Sequence, residues 1–202
     1  MTSIKAPFKQ SPLAHRSPLT GDGVQMKEWP HLNKTMLRGE MKTLGAAIKS
    51  VEKAKAPTAS RSTYTDQCAV HWIGPDTLMV IAGEDAALAD SFSKVLDGKA
   101  CQVTNITNNY TVIELSGDKA RDVLQKLSTL DLDASIFVKG SVAGTTFAHS
   151  NVVLACRLNA PDTFHIVIRR SHADYLWCLI ADAGYEFGFD KQAIVAGETL
   201  RQ

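Results

Sequence analysis

Apolar positions along this chain change their period in a repeating order. From Leu37 they recur at steps of four and three through Met41, Leu44, Ile48 and Val51, which predicts an amphipathic helix from about Glu40 to Lys53. A short strand over Leu32 to Arg38 precedes it and Pro57 closes it. Cys68, Val70 and Trp72 then alternate, Gly74-Pro75-Asp76 supplies turn residues, and Leu78-Met79-Val80-Ile81-Ala82 reads as a buried strand, so the pair predicts a hairpin. Helical spacing returns through Ala87, Leu88, Phe92, Val95 and Leu96 and stops at Gly98, where a left-handed cap favours glycine. Gln102 to Thr107 is the expected closing strand.

The second half repeats much of this grammar. Thr111, Ile113 and Leu115 share one face of a strand, and Ala120, Val123, Leu124 and Leu127 form a helical stripe, with Ser116 or Asp118 as the expected acceptor for the free amides at its start. A loop from Asp131 to Gly140 leads into three strands. Val152, Leu154, Cys156 and Leu158 alternate in one, Phe164, Ile166 and Ile168 in another, and Asn159-Ala160-Pro161-Asp162 turns between them. Ser171 and Asp174 have the spacing of a capping box for a last helix that Gly184 ends. Strand, helix, strand, strand, helix, strand is the split β-α-β order of ferredoxin-like folds, so the pattern predicts an α+β chain of two such units, over residues 32–107 and 108–190. Residues 1–31 carry Pro7, Pro12, Pro18 and Pro30 with Gly21 and Gly23, which predicts an extended N-terminal arm, and residues 191–202 are left as a C-terminal tail.

Composition narrows the function. At 202 residues and 45% hydrophobic content the chain can bury a full core. Twenty-two basic against 21 acidic side chains, a net charge of +1, supply no field to gather nucleic acid or an anionic membrane, and no run approaches the ~20 apolar residues of a bilayer span. Lys42, Lys49, Glu52 and Lys53 form a solvated helix face before they form a basic patch. Cys68, Cys101, Cys156 and Cys178 lie far apart, without the paired spacing of zinc or redox motifs, and the N-terminus lacks the apolar run of an export signal; a reducing cytoplasm is the expected setting.

Candidate chemistry is sparse. The six histidines include no HExxH and no pair at metal-binding helix spacing, and His165 and His172 occupy positions that suit a surface or interface. There is no GxSxG elbow, and neither Gly21-Asp22-Gly23 nor Gly140 to Gly144 satisfies a dinucleotide or triphosphate loop. Trp29, Trp72 and Trp177 read as anchors in cores or at subunit contacts. The expectation is therefore no catalytic, cofactor-binding or metal-binding residue in this chain.

A likeness to a known family runs through the chain in order. It is carried by Ser11-Pro12-Leu13, Leu37-Arg38-Gly39-Glu40, Trp72-Ile73-Gly74-Pro75-Asp76, Tyr110 to Gly117, Leu130-Asp131-Leu132, Phe137, Gly140, Arg170-Ser171 and Tyr175-Leu176-Trp177. Together these resemble the gamma subunit of heterotetrameric sarcosine oxidase, a family itself similar to the folate-binding domains of aminomethyltransferases. The resemblance implies a structural subunit of a flavin-dependent oxidase that demethylates sarcosine to glycine, passes the one-carbon unit to tetrahydrofolate or releases it as formaldehyde, and forms hydrogen peroxide. It implies alpha, beta and delta partner subunits that carry FAD, FMN, NAD, zinc and tetrahydrofolate, with no turnover by this chain alone. Where aminomethyltransferases show an aspartate before the Tyr110 strand, this sequence reads Asn105-Ile106-Thr107, so no folate residue carries over. A stand-alone folate-binding or aminomethyltransferase-like protein, or the gamma subunit of a related N-methyl amino acid dehydrogenase, is the alternative. As a subunit, the chain is expected to bury more than ~2,000 Å² against its partners. Trp29, Arg169 and Tyr175 are of the residue types that such contacts favour.

Overall fold

The computed structural model describes residues 9–193; the first eight residues of the expected arm and residues 194–202 of the expected tail lie outside the described residues. The described chain opens with a hairpin, β1 (Leu19–Gly21) and β2 (Val24–Trp29). The first unit then runs β3 (Asn33–Gly39), α1 (Met41–Glu52), β4 (Ser62–Tyr64), β5 (Cys68–Gly74), β6 (Thr77–Ala82), α2 (Leu88–Leu96) and β7 (Cys101–Asn105). The second runs β8 (Tyr110–Ser116), α3 (Ala120–Gln125), β9 (Val142–Phe147), β10 (Ser150–Asn159), β11 (Asp162–Arg169) and α4 (Ala173–Ala183).

Five strands make the first sheet, in the order β4-β5-β6-β3-β7, and six make the second, in the order β1-β2-β8-β11-β10-β9. Without β4, the first sheet has the order of a ferredoxin-like unit, with the closing strand β7 antiparallel to the opening strand β3. In the second sheet the corresponding place beside β8 is taken by β2, which pairs antiparallel from Gln25↔Ser116 to Trp29↔Val112. The second unit is thus closed by a strand from the opposite end of the sequence, out of the stretch that composition reads as an arm. Its alternation, with Val24 and Met26 buried and Gln25 and Lys27 exposed, is that of a strand with one face on a core.

Each sheet is covered on one face by its own helices. Leu44, Ala47 and Ile48 of α1 and Leu88, Phe92 and Leu96 of α2 pack on Leu37, Val70, Leu78 and Val80. Val123 and Leu124 of α3 and Leu176, Trp177 and Ile180 of α4 pack on Ile113, Leu115, Phe164, Ile166 and Ile168. The intervening residues of the same strands, Met79, Ile81, Val112 and Val167, join Ile106 in a third cluster between the sheets. The layers are helix, sheet, sheet, helix. Burial on both faces is why Leu78 to Ala82 reads as an unbroken apolar run, and each such side chain contributes about 2 kcal/mol when fully withdrawn from water.

The two helix starts in the second unit differ from the sequence expectation. No side chain caps α3. Its amides are met by main chain, with Gly117 N–H donating to Asp162 O at 2.8 Å, Lys119 N–H to Gly23 O at 2.9 Å and Ala120 N–H to Gly117 O at 3.1 Å. The close approach needs glycine, because Gly117 has φ +119° and a Cβ there would lie 2.2 Å from Gly23 O. A single 3-10 turn, Arg170–His172, precedes α4, and no side chain of its N-cap residue His172 closes it. The Asp174 carboxylate in its first turn instead accepts from Arg16 Nε at 2.7 Å and lies 2.7 Å from His15 Nε2, tying the N-terminal segment to this helix.

Candidate functional site: a polar seam and an exposed aromatic edge

Polar side chains enter the layer between the sheets at one group of strand positions. Glu114 on β8 lies opposite Lys27 of β2 and His165 of β11, so strand alternation turns all three to the same side as Val112 and Val167. Its carboxylate accepts from Trp29 Nε1 at 3.1 Å and lies 3.1 Å from His165 Nε2 and 3.1 Å from Lys27 Nζ. Burial pushes Glu114 up, but the bonds from His165 and Lys27 outweigh it and hold the carboxyl at about 2. It is a fixed anion whose oxygens are engaged by three donors.

Facing it from the first sheet, His71 of β5 is fully buried, with Nδ1 2.8 Å from Ser62 Oγ and the edge of the ring toward Tyr64 at 5.9 Å. Burial, then the charges of His165 and Arg157, hold its imidazole down at about 3, so it is neutral. Burial likewise pushes the Tyr64 phenol up to about 12; its hydroxyl donates to Cys156 O at 3.4 Å and Arg157 lies over its ring at 4.8 Å. The thiols are driven the same way, Cys68 up to about 11 and Cys156 and Cys178 upward, each first by burial. None of these groups is set near the neutral range where proton transfer or thiolate attack works best.

The three interface candidates fall in two places. Trp29, at the end of β2, is 42% exposed and carries Lys27 Nζ 4.8 Å over its ring. Register sets it opposite Val112, and two residues along the same strands Tyr110 pairs with Arg169, whose guanidinium lies 6.0 Å over the Tyr110 ring. Trp29, Tyr110 and Arg169 therefore share one sheet face at one end. Tyr175, half-buried on α4, lies on the helix layer behind that sheet. Trp177 is buried in the second core and Trp72 is partly buried on the first. His172 has its Nδ1 3.1 Å from Ser150 Oγ, and His165 sits inside the seam instead of on the outer surface.

Sequence reasoning missed the seam, because its members belong to both sheets. It also missed Lys34, which is 1% exposed, bonds to Leu32 O and is held down at about 8 by burial and then by the charge of Arg170. The layer between the sheets does not fit the pterin that the family resemblance implies: Met79, Ile81, Val112 and Val167 fill it and the acid beside it is already bonded. Asn105 accepts from Thr107 N–H at 3.0 Å as turn chemistry. No group of three or more metal-binding side chains occurs among the described residues.

The profile of the sarcosine oxidase gamma subunit family matches residues 40–186. The gamma subunit of sarcosine oxidase from an Arthrobacter species is 38% identical over 86 residues, which are 43% of this chain and 42% of that relative's own length. A chain of the heterotetrameric sarcosine oxidase of Corynebacterium sp. U-96, solved with pyrrole 2-carboxylate, is similar over 91% of this chain and 98% of that one, with 26% identity and a TM-score of 0.80. Aminomethyltransferase T of Bartonella henselae shares the fold, with a TM-score of 0.60 and 16% identity over 80% of this chain and 46% of that one.

Proposed function

This chain belongs to the sarcosine oxidase gamma subunit family, and on that premise we propose that it is a structural subunit of a cytoplasmic heterotetrameric oxidase. In this reading alpha, beta and delta partners bind the flavins, NAD, zinc and tetrahydrofolate. They convert sarcosine to glycine, with transfer or release of the one-carbon unit and formation of hydrogen peroxide. The observation that carries it is the state of the chain's own polar groups: a seam in which Glu114 is held ionised by Lys27, Trp29 and His165 while His71 is held neutral. Glu114 holds Trp29 in place at the surface, and the Tyr64 hydroxyl, donating to Cys156 O, ties the first sheet to the second. Neither Glu114 nor His71 is set to give or take a proton near neutral pH.

Trp29 and Arg169, on one face, are the proposed anchors, and Tyr175 contributes from the helix layer. Fixing the Trp29 indole through Glu114 reduces the ordering cost of contact, which favours it as a central contact residue. Replacing Trp29 or Arg169 by alanine in the co-expressed assembly is expected to weaken retention of the partner subunits by about tenfold or more, with a smaller effect for Tyr175→Ala. Co-purification yield against salt, beside the thermal midpoint of each variant alone, reads the effect. Unchanged retention in all three variants removes this surface from the interface, and sarcosine turnover by the isolated wild-type chain removes the non-catalytic reading itself.

A further inference from the structure

The two sheets have four edges: β1 and β4, which are short, β9, whose start is covered, and β7. Strands β1 and β4 are three residues each. The residues before β4 meet the start of β9, where Val142 N–H donates to Ser60 O at 3.0 Å, Ser62 N–H donates to Gly140 O at 2.7 Å and Arg61 bridges Ser141. The fourth edge is β7, Cys101-Gln102-Val103-Thr104-Asn105, which pairs only with β3 among the described residues. It carries no charge, no proline and no bulge, the devices that protect natural edges.

Its outward backbone groups can be identified. Ile106 N–H donates to Lys34 O at 2.9 Å, and Gly39 N–H donates away from β7 to Asp76 O at 2.9 Å. With Thr104 opposite Met36 and Gln102 opposite Arg38, positions 102, 104 and 106 therefore bond β3, and Val103 and Asn105 turn N–H and C=O outward. Where β7 begins, a groove of about 600 Å³ is lined by Glu40, Lys42, Thr43, Ala46, Lys99 and Cys101. The Glu40 carboxylate accepts from Thr43 Oγ1 at 3.0 Å and keeps its charge, so with Lys42 and Lys99 the groove lining carries one net positive charge.

We propose that β7 is a docking edge that takes an extended strand from another subunit of the oxidase, with an acidic side chain of that strand seated between Lys42 and Lys99. This rests on the subunit reading above. An extended chain satisfies the alternating groups at Val103 and Asn105, and an acid complements the net positive charge of the groove. A second copy fits less well, because an antiparallel β7 would bring its own Ile106-Thr107-Asn108-Asn109 to the groove, which offers no carboxylate.

Deuterium uptake over residues 101–106 tests the edge on the unaltered protein. The outward amides are expected to exchange rapidly in the isolated chain and about a hundredfold more slowly in the co-purified assembly. Val103→Pro, which deletes an outward N–H and leaves the bonds to β3, is expected to keep the free chain folded and cut partner retention about tenfold. Lys42→Glu with Lys99→Glu is expected to cut retention and flatten its salt dependence. An assembly recovered with this segment still unprotected overturns the docking edge alone. Protection already present in the isolated chain assigns the edge to the chain's own ends or, if sedimentation shows a dimer, to a second copy, and overturns it too. Recovery of no partner subunit overturns the subunit reading and the docking with it.

Discussion

Acidification from pH 6.5 toward pH 3 is expected to remove about 1.4 kcal/mol of stability per pH unit through His71 alone. The cause is its place: fully buried on β5, bonded through Nδ1 to Ser62, with no partner for Nε2 among the described residues. The sign follows from which state binds the proton. His71 takes it up near 6.5 when unfolded and only near 3 when folded, so between those values the unfolded chain holds more protons and stability falls as pH falls. Glu114 adds a second, lower window. Its folded value is depressed from 4.5 to about 2, so its stabilising contribution is whole above 4.5 and is lost on the way down to 2. Urea unfolding at pH 7, 6 and 5 separates the two, since only His71 acts in the upper part. His71→Gln is expected to unfold with a slope shallower than wild type by about 1.4 kcal/mol per pH unit. Parallel pH profiles for the two proteins contradict the assignment.

Loss of Arg121 is expected to cost about 3–5 kcal/mol, and with it about 10 °C of thermal midpoint for a chain of this size. Arg121 is 8% exposed on α3 and grips Asp162 with both arms of its guanidinium, Nε to Oδ2 at 3.0 Å and Nη2 to Oδ1 at 2.8 Å. Its remaining nitrogen donates to Leu132 O and to Phe137 O at 3.2 Å, and the guanidinium lies 5.0 Å over Phe164. One side chain thus holds a helix, the turn between β10 and β11, and the loop from Asp131 to Gly140. Arg121→Ala strands a largely buried carboxylate and two carbonyls, which is why its cost exceeds that of a surface ion pair. Arg121→Lys keeps the charge but loses the fork, and is expected to recover only part of the loss. The double variant Arg121→Met with Asp162→Leu, which leaves no unpaired charge, is expected to be more stable than Arg121→Ala; an Arg121→Ala loss below about 1 kcal/mol contradicts the role given to the staple.

These two residues mark where sequence reading stops. Periodicity located β3, α1, the β5 and β6 hairpin, α2 and the paired strands of the second half, because each is written in neighbouring residues. The partner of β2 lies some 90 positions away in sequence, and its five-residue register against β8 left only a weak alternation, Val24 and Met26, among prolines and glycines. The start of α3 was misread because its amides are met by carbonyls of Gly23 and Asp162, which no local rule exposes. His71, Lys34 and Arg121 look like any polar residue in an alternating or helical stripe until both faces of a sheet are seen to be covered. Of the interface candidates, the residue types were legible, but that Trp29 and Arg169 share one face while Tyr175 lies behind it depends on strand register.

The most direct measurement is the intact mass of the native chain captured from its own cells under gentle conditions. The subunit account predicts a single assembly of fixed stoichiometry in which this 21.9 kDa polypeptide is bound to larger flavin-bearing polypeptides. A lone, monodisperse polypeptide of that mass, with no companion at any salt concentration, contradicts it.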